Sequence, residues 1–182
     1  MKYHIRRSEQ EIIDEKELQS ILEKGKYGIV GLSKNDEPYV ITLSYGYDKV
    51  GNVLFFHCGK EGQKIDFIKS NPRACVTIIE DDGFEIDSCN HTYKSLILRG
   101  EIHFESDRNE IDRAIRLMIL QLEKREPNRF YEKLTSGNKH YDNLQILRFA
   151  IENITGKKQE KGTGEKKEST ATSPNRLDIG KL

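Results

Sequence analysis

Between residues 27 and 58 the chain repeats one pattern: a run of strand formers, then a short polar turn. YGIVGLS (27–33) precedes Lys34-Asn-Asp-Glu37, and YVITLSYGY (39–47) precedes Asp48-Lys-Val-Gly-Asn52. VLFFHC (53–58) then ends in a glycine-bearing loop. Connections this short cannot hold a βαβ crossover, so the three segments form an antiparallel meander. In the third strand Val53, Phe55 and His57 share one face, and Leu54, Phe56 and Cys58 share the other. Both faces carry large apolar groups. One therefore fills an interior, and the other needs a helix, a partner subunit or a ligand to cover it.

The rest of the chain adds strands and short helices. Asp14 to Glu17 has the capping-box pattern, Leu18, Ile21 and Leu22 recur at helical spacing, and Gly25 suits a C′ residue. These features predict a helix over 14–24. A second helix over 61–70 stops at Asn71-Pro72. RACVTIIE (73–80) reads as a strand, Asp81-Asp82-Gly83 as a turn, and 92–105 as a long strand bent near Gly100. The apolar face of Ile111, Ile115, Met118, Ile119 and Leu122 marks a helix over 107–124. Residues 144–155 alternate as a final strand. About six strands with short helices make a mainly β fold with α additions, a small antiparallel barrel whose closure hides its edges. From 157 to 168 the sequence KKQEKGTGEKKE has no apolar side chain. The expected division is a folded domain over 1–156 and a disordered polar tail over 157–182.

Composition excludes several classes of function. Lysine and arginine total 30 and aspartate and glutamate 30, a formal net charge of zero, which leaves no excess of cations for general nucleic-acid binding. No apolar run is long enough to span a membrane. The N-terminal stretch has no apolar core of a secretory signal. Three cysteines, Cys58, Cys75 and Cys89, at irregular spacing give neither a disulfide framework nor a zinc pattern, so a reducing, cytoplasmic setting is expected.

The chemically informative stretch is FFHCGKEGQKIDFIKSNP (55–72). A strand ends at His57-Cys58, Gly59 and Gly62 follow, and Gln63-Lys64 open a helix. A helix N-terminus with a glycine beside it and a lysine inside it suits a phosphate; taken alone, a plain solvated helix start is the commoner meaning of such a turn. No P-loop or dinucleotide fingerprint is present. Cys89 and His91 do not complete a metal site with His57 and Cys58, so no metal is expected. His57 and Cys58 are adjacent on a strand and face opposite ways, so they cannot act as a thiolate–imidazolium pair. Tyr45, Tyr47 and Tyr93 are either core aromatics or a stacking wall.

A set of short motifs resembles one family. They are Arg7-Ser8, Gly25-Lys-Tyr-Gly28, 38–43 (PYVITL), 54–57 (LFFH), Gly62-x-Lys64, Asn71-Pro72, Cys89, Tyr93-x-Ser95 and Gly100. In order and spacing, over about residues 5–156, they resemble the pyridoxamine 5′-phosphate oxidase-like FMN-binding split barrels. Within these they are most similar to the nitroimidazole-resistance-type flavin proteins. The resemblance implies a six-stranded antiparallel split β-barrel and a homodimer with FMN in a cleft at its interface. It places Ile41, Thr42, Leu43 and Ser44 along the isoalloxazine ring, and His57 and Cys58 on the strand leading to the ribityl phosphate. Gly62, Gln63 and Lys64 fall at the phosphate, and Ser95, with Tyr93 on the same face, at the flavin from the long strand. Gln63 stands where an arginine is common, so a second phosphate cation would have to come from Arg73 or the partner's Arg99.

The activity this implies is an FMN-dependent oxidoreductase that reduces a small planar acceptor, nitroaromatic or quinone in type, with a separate electron donor. No catalytic residue is identified; His57 is a candidate proton donor, by its near-neutral intrinsic pKa, and a structural or FMN-contacting role is the leading alternative for it. The alternatives are a flavin- or haem-binding module without turnover, a redox sensor, and use of a deazaflavin.

Overall fold

The structure is a computed structural model that describes residues 5–86, 90–135 and 144–160. After a 3₁₀ turn at Ser8–Gln10 come β1 (Glu11–Ile12), α1 (Glu15–Lys24), β2 (Tyr27–Lys34), β3 (Glu37–Asp48) and β4 (Val53–Gly59). Then follow α2 (Gln63–Ser70), β5 (Arg73–Glu85), β6 (Asn90–Phe104), α3 (Arg108–Leu122), α4 (Pro127–Thr135) and β7 (Leu144–Gln159). The sheet order is β1-β7-β4-β3-β2-β5-β6, and β7 pairs with β6 as well, which closes the sheet into a barrel. All ladders are antiparallel.

Local chemistry explains most boundaries. Asn35 and Asp36 both have positive φ, as a two-residue hairpin turn between twisted strands requires. Asp14 caps α1 by accepting from the Lys16 N–H, but Glu17 does not complete the expected capping box. Its carboxylate instead holds Lys94 at 3.0 Å and Lys158 at 3.5 Å, tying α1 to β6 and β7. Gly25 is not in the left-handed region; its φ is −61°. Space demands the glycine, because a Cβ there would fall on the Tyr45 hydroxyl.

Two further expectations are corrected. Asp81-Asp82-Gly83 is a bulge inside β5, which runs on to Glu85; Gly83 takes φ +96° where the β5–β6 register shifts. β7 continues through Lys157, Lys158 and Gln159, so these belong to the barrel and not to a tail that starts at 157. Pairing with β6 outweighs their polarity, because the backbone hydrogen bonds are indifferent to side-chain charge. Residues 161–182 lie outside the described residues. Helix α4 was not anticipated, although Pro127 occupies a favoured first-turn position. The bend near Gly100 is present. Arg99 pairs with Asn153 and Gly100 with Ile151, which leaves Glu152 as the extra residue, and a Cβ on Gly100 would fall on the Ala150 carbonyl oxygen.

Two apolar clusters result. Inside the barrel, Val30, Leu32, Leu54, Phe56, Val76 and Ile78 pack with Leu96, Leu98, Phe149 and others. Outside β4 and β7, Val53, Phe55 and Ile146 pack against Ala114, Ile115, Met118 and Ile119 of α3. A helix thus covers the second face of β4. The close approach depends on Gly46, where a Cβ would lie 2.5 Å from the Met118 backbone nitrogen.

Candidate functional site

The barrel is split between β3 and β4. Their ladder holds only Tyr45↔Phe56 to Asp48↔Val53. Beyond it β4 pairs with β7 alone, and residues 37–44 of β3 pair with β2 alone. One edge of β3 over those residues therefore has no strand partner among the described residues, and its N–H and C=O groups are available to a ligand. Helix α2 plugs the barrel beneath the split. Its Ile65, Phe67 and Ile68 are buried in the interior cluster, and the Phe67 ring lies 5.0 Å from that of Tyr39.

The N-terminus of α2 fits an anion. Gly62 is the N-cap residue with φ +116°, and no side chain caps the helix. The Gly62 carbonyl accepts from the N–H groups of Ile65 and Asp66, so those of Gln63 and Lys64 point out of the helix unused. Nothing lies within 4 Å of where a Gly62 Cβ would be, which leaves the approach open. Lys64 forms no ion pair with a described carboxylate and lies near enough to Cys58 to affect its thiol electrostatically. Burial raises the Cys58 pKa and the Lys64 charge opposes that rise.

The residues named from sequence divide by direction. Thr42 and Ser44 are exposed on the outer face of β3, whereas Ile41 and Leu43 pack inward against the interior cluster. Any contact from those two would be through backbone. His57 is exposed on the outer face and Cys58 is buried in the interior. Tyr45 and Tyr47 are core residues; the Tyr45 hydroxyl donates to the Leu22 carbonyl at 2.7 Å, and burial pushes its pKa up. Tyr93 and Ser95 are half-buried on β6. In the sheet order β2 and β5 stand between β3 and β6, so one protomer does not bring this pair beside Thr42 and Ser44. At about 4.8 Å per strand the separation is roughly 14 Å. Arg73 is not available as a phosphate cation. Its Nη1 lies 2.8 Å from Glu152 and 3.4 Å from Glu101, and these contacts raise its pKa. Arg99 lies between Cys75 and Asn153 in the ladders. Cys89 lies outside the described residues.

Two features escaped the sequence reading. The outer face of β3, β2, β5 and β6 exposes Val40, Tyr27, Ile79 and Ile97, an apolar surface interleaved with Thr42, Ser44, Thr77 and Ser95. Alternation within each strand contained that signal, but only the register aligns the four strands. The second is a groove of about 380 Å³ between the ends of β4 and β7 and the helices α3 and α4, with His57 and Leu144 at the sheet side.

A ring-closed antiparallel sheet, split at β3–β4, with an uncapped helix start below the split, defines the chain as a split β-barrel. It belongs to the pyridoxamine 5′-phosphate oxidase family, whose model matches residues 14–158. Solved structures agree in fold. A candidate 5-nitroimidazole antibiotic resistance protein of Bacteroides thetaiotaomicron is 23% identical with TM-score 0.67, over 81% of this chain and 85% of that one. The flavocytochrome Anf3 of Azotobacter vinelandii is 17% identical with TM-score 0.72, over 99% and 89%. The FAD- and haem-binding protein of Mycobacterium smegmatis is 20% identical with TM-score 0.67, over 84% and 74%. A curated relative, an uncharacterised protein of Rhizobium meliloti, is 27% identical over 89 residues, which is 49% of this chain and 53% of that protein. The chain thus spans about half the length of that relative in the match. No helix among the described residues is long and apolar enough to cross a membrane.

Proposed function

We propose that the protein is an FMN-binding flavoprotein that reduces a small planar acceptor, of nitroaromatic or quinone type, in the cytoplasm. The observation that carries this is a pair of unsatisfied features on the elements that border the split: the free edge of β3 and, just past the end of β4, the uncapped start of α2. The N–H groups of Gln63 and Lys64, with the Lys64 ammonium, suit a phosphate. The free β3 edge and the Thr42 and Ser44 hydroxyls suit the polar rim of a flavin ring. Bound flavin would supply the electron transfer; the protein would bind it, orient it and limit its contact with water. With Arg73 held by glutamates, Lys64 is the cation for a single phosphate group. That favours a mononucleotide held modestly.

The exposed apolar outer face favours a homodimer, in which the partner would bring a second Tyr93–Ser95 pair toward the site. Relatives that bind FAD or haem make those the principal alternatives for the cofactor. A second reading, a flavin- or haem-holding module without turnover, draws on one observation. No described side chain hydrogen-bonds His57, so none of them fixes its tautomer in the way a general acid usually requires.

The test is the visible spectrum of the purified protein and of the chromophore that heat releases from it. Released FMN supports the proposal; a colourless protein that takes up no added FMN rejects it. A Soret band, or bound flavin that an added acceptor reoxidises no faster than air does, would favour the second reading.

A further inference from the structure

The groove beside His57 is larger than the packing of α3 requires. Val53, Phe55 and Ile146 already close the outer cluster against Ala114, Ile115 and Met118. Beyond them Ile119 and Leu122 form one wall, Phe130 of α4 lies opposite, and about 380 Å³ is left open. Leu122 and Phe130 remain 37% and 49% exposed, apolar surface that a buried ligand would remove from water. The volume lies in the range of small-ligand sites, and like them the groove is apolar with few polar groups. Those groups are His57 and Glu123. Among the described residues no lysine or arginine lines it, so an anionic ligand would meet the Glu123 carboxylate with no counter-charge from them. Met118 and Phe130 instead offer a thioether and a ring, which pack well on an aromatic plane.

The imidazole at the sheet side is available. His91 is paired with Asp81 and His103 with Glu101, whereas His57 has no ion pair or hydrogen bond to a described side chain. Its place in the ladder matters as well. Tyr45↔Phe56 is the last β3–β4 pair, so Ser44 and His57 are the next positions on either side of the split. The groove therefore opens beside the edge of β3.

We propose that this groove is the acceptor site: it takes an uncharged planar aromatic molecule whose oxygen accepts a hydrogen bond from His57. The assignment rests on the flavin reading above for its role, but not for the binding itself.

The chain has two methionines, Met1 and Met118, and Met118 lines the groove, so a methyl-¹³C-methionine label puts a reporter there, assigned by the resonance that Met118→Leu removes. The probe is tetramethyl-1,4-benzoquinone, whose full substitution prevents addition to thiols, titrated into the full chain with and without FMN. The Met118 methyl resonance is expected to shift saturably with added probe. Leu122→Gln, on the exposed rim, should weaken the probe by about tenfold through lost apolar contact, with FMN uptake unchanged. An unmoved Met118 in protein that binds FMN overturns the groove and leaves the flavin reading standing. Equal binding by Leu122→Gln overturns it too. A Met118 shift that depends on Leu122 in protein that takes up no FMN supports the groove and removes the flavin reading instead.

Discussion

Arg113 Nη1 lies 2.8 Å from Asp48 Oδ2, across the junction of the β3–β4 turn and helix α3. Asp48 is 6% exposed, and its carboxylate also accepts from the Val50 N–H at 3.2 Å. Arg113 reaches back to Glu110 at 2.7 Å and lies 5.4 Å from the Phe55 ring centroid. One guanidinium thus holds a turn, its own helix and the aromatic surface between them. Gln121 does the same about two turns further on, donating to the carbonyls of Leu22 and Gly25 and accepting from the Tyr47 N–H.

Burial raises the Asp48 pKa, but the Arg113 hydrogen bond and charge and the backbone N–H groups of Gly51 and Val50 outweigh it, so the pKa is lowered. A carboxyl depressed on folding contributes stability that is present above its unfolded pKa, about 3.9, and lost as pH falls through the lower folded value. Asp48→Asn should therefore cost about 1–2 kcal/mol at neutral pH, discounted for the partly exposed arginine. The difference from the parent should shrink below about pH 4. Denaturant melts at pH 7 and pH 3 check both statements; an equal difference at the two values would reject the ion pair as its source.

Gly46→Ala should push α3 away from the sheet, because the new methyl would meet helix backbone and not a side chain that can turn aside. An overpacking cost of about 1–3 kcal/mol is expected. At roughly 2–4 °C per kcal/mol for a chain of this size, calorimetry would read a drop of several degrees. Gly59→Ala, where nothing lies within 4 Å, is the control and should change little.

Lys64→Ala should weaken FMN by about 10- to 100-fold if its ammonium meets the phosphate, the equivalent of losing one charge-assisted hydrogen bond. Fluorescence quenching of added FMN measures it. Riboflavin, which has no phosphate, should bind the parent and the variant alike. Unchanged FMN affinity would move the phosphate elsewhere.

The two described cysteines should separate in reactivity. Cys75 is exposed and Cys58 is buried, with its pKa raised by that burial. The thiolate is the reactive form. In a Cys89→Ser background a thiol reagent should therefore label Cys75 at once and Cys58 only on unfolding. Because burial keeps the Cys58 thiol neutral, its contribution to stability is complete below the unfolded pKa and fades as pH rises above about 8.5. Rapid labelling of both thiols in native protein would show that the interior opens at the split.

A chain stopped at Gly156 should be less stable than one stopped at Glu160. It loses the pairings of Ser95, Lys94 and Tyr93 with Lys157, Lys158 and Gln159, and the Lys158–Glu17 link. Thermal melts of the two truncations decide whether these residues act as strand or as tail.

The meander was legible because hydrogen-bonded hairpins are local: Asn35-Asp36 sets its own turn, and the apolar runs on either side need only each other. The helices of 14–24 and 107–124 were legible for the same reason, with Asp14 and Asp107 capping as their positions suggest. The Gly62-x-Lys64 motif could be read because a helix start and its side chain are contiguous in sequence. The Asp81–Gly83 bulge and the end of β7 could not, since each is fixed by a strand far away in the chain.

The sequence by itself determined the local hydrogen-bonding units, the helix caps and the alternation of β4, because each depends on residues a few positions apart. Tertiary structure alone decided which of them share a site. Ser44 and His57 flank the point where the barrel splits, Tyr93 and Ser95 stay three strands away from Ser44, Arg73 spends its charge on glutamates, and the groove over Met118 exists only once α3 and α4 dock. These are long-range outcomes of sheet register and packing, where energies of the whole core outweigh the preferences of any one segment.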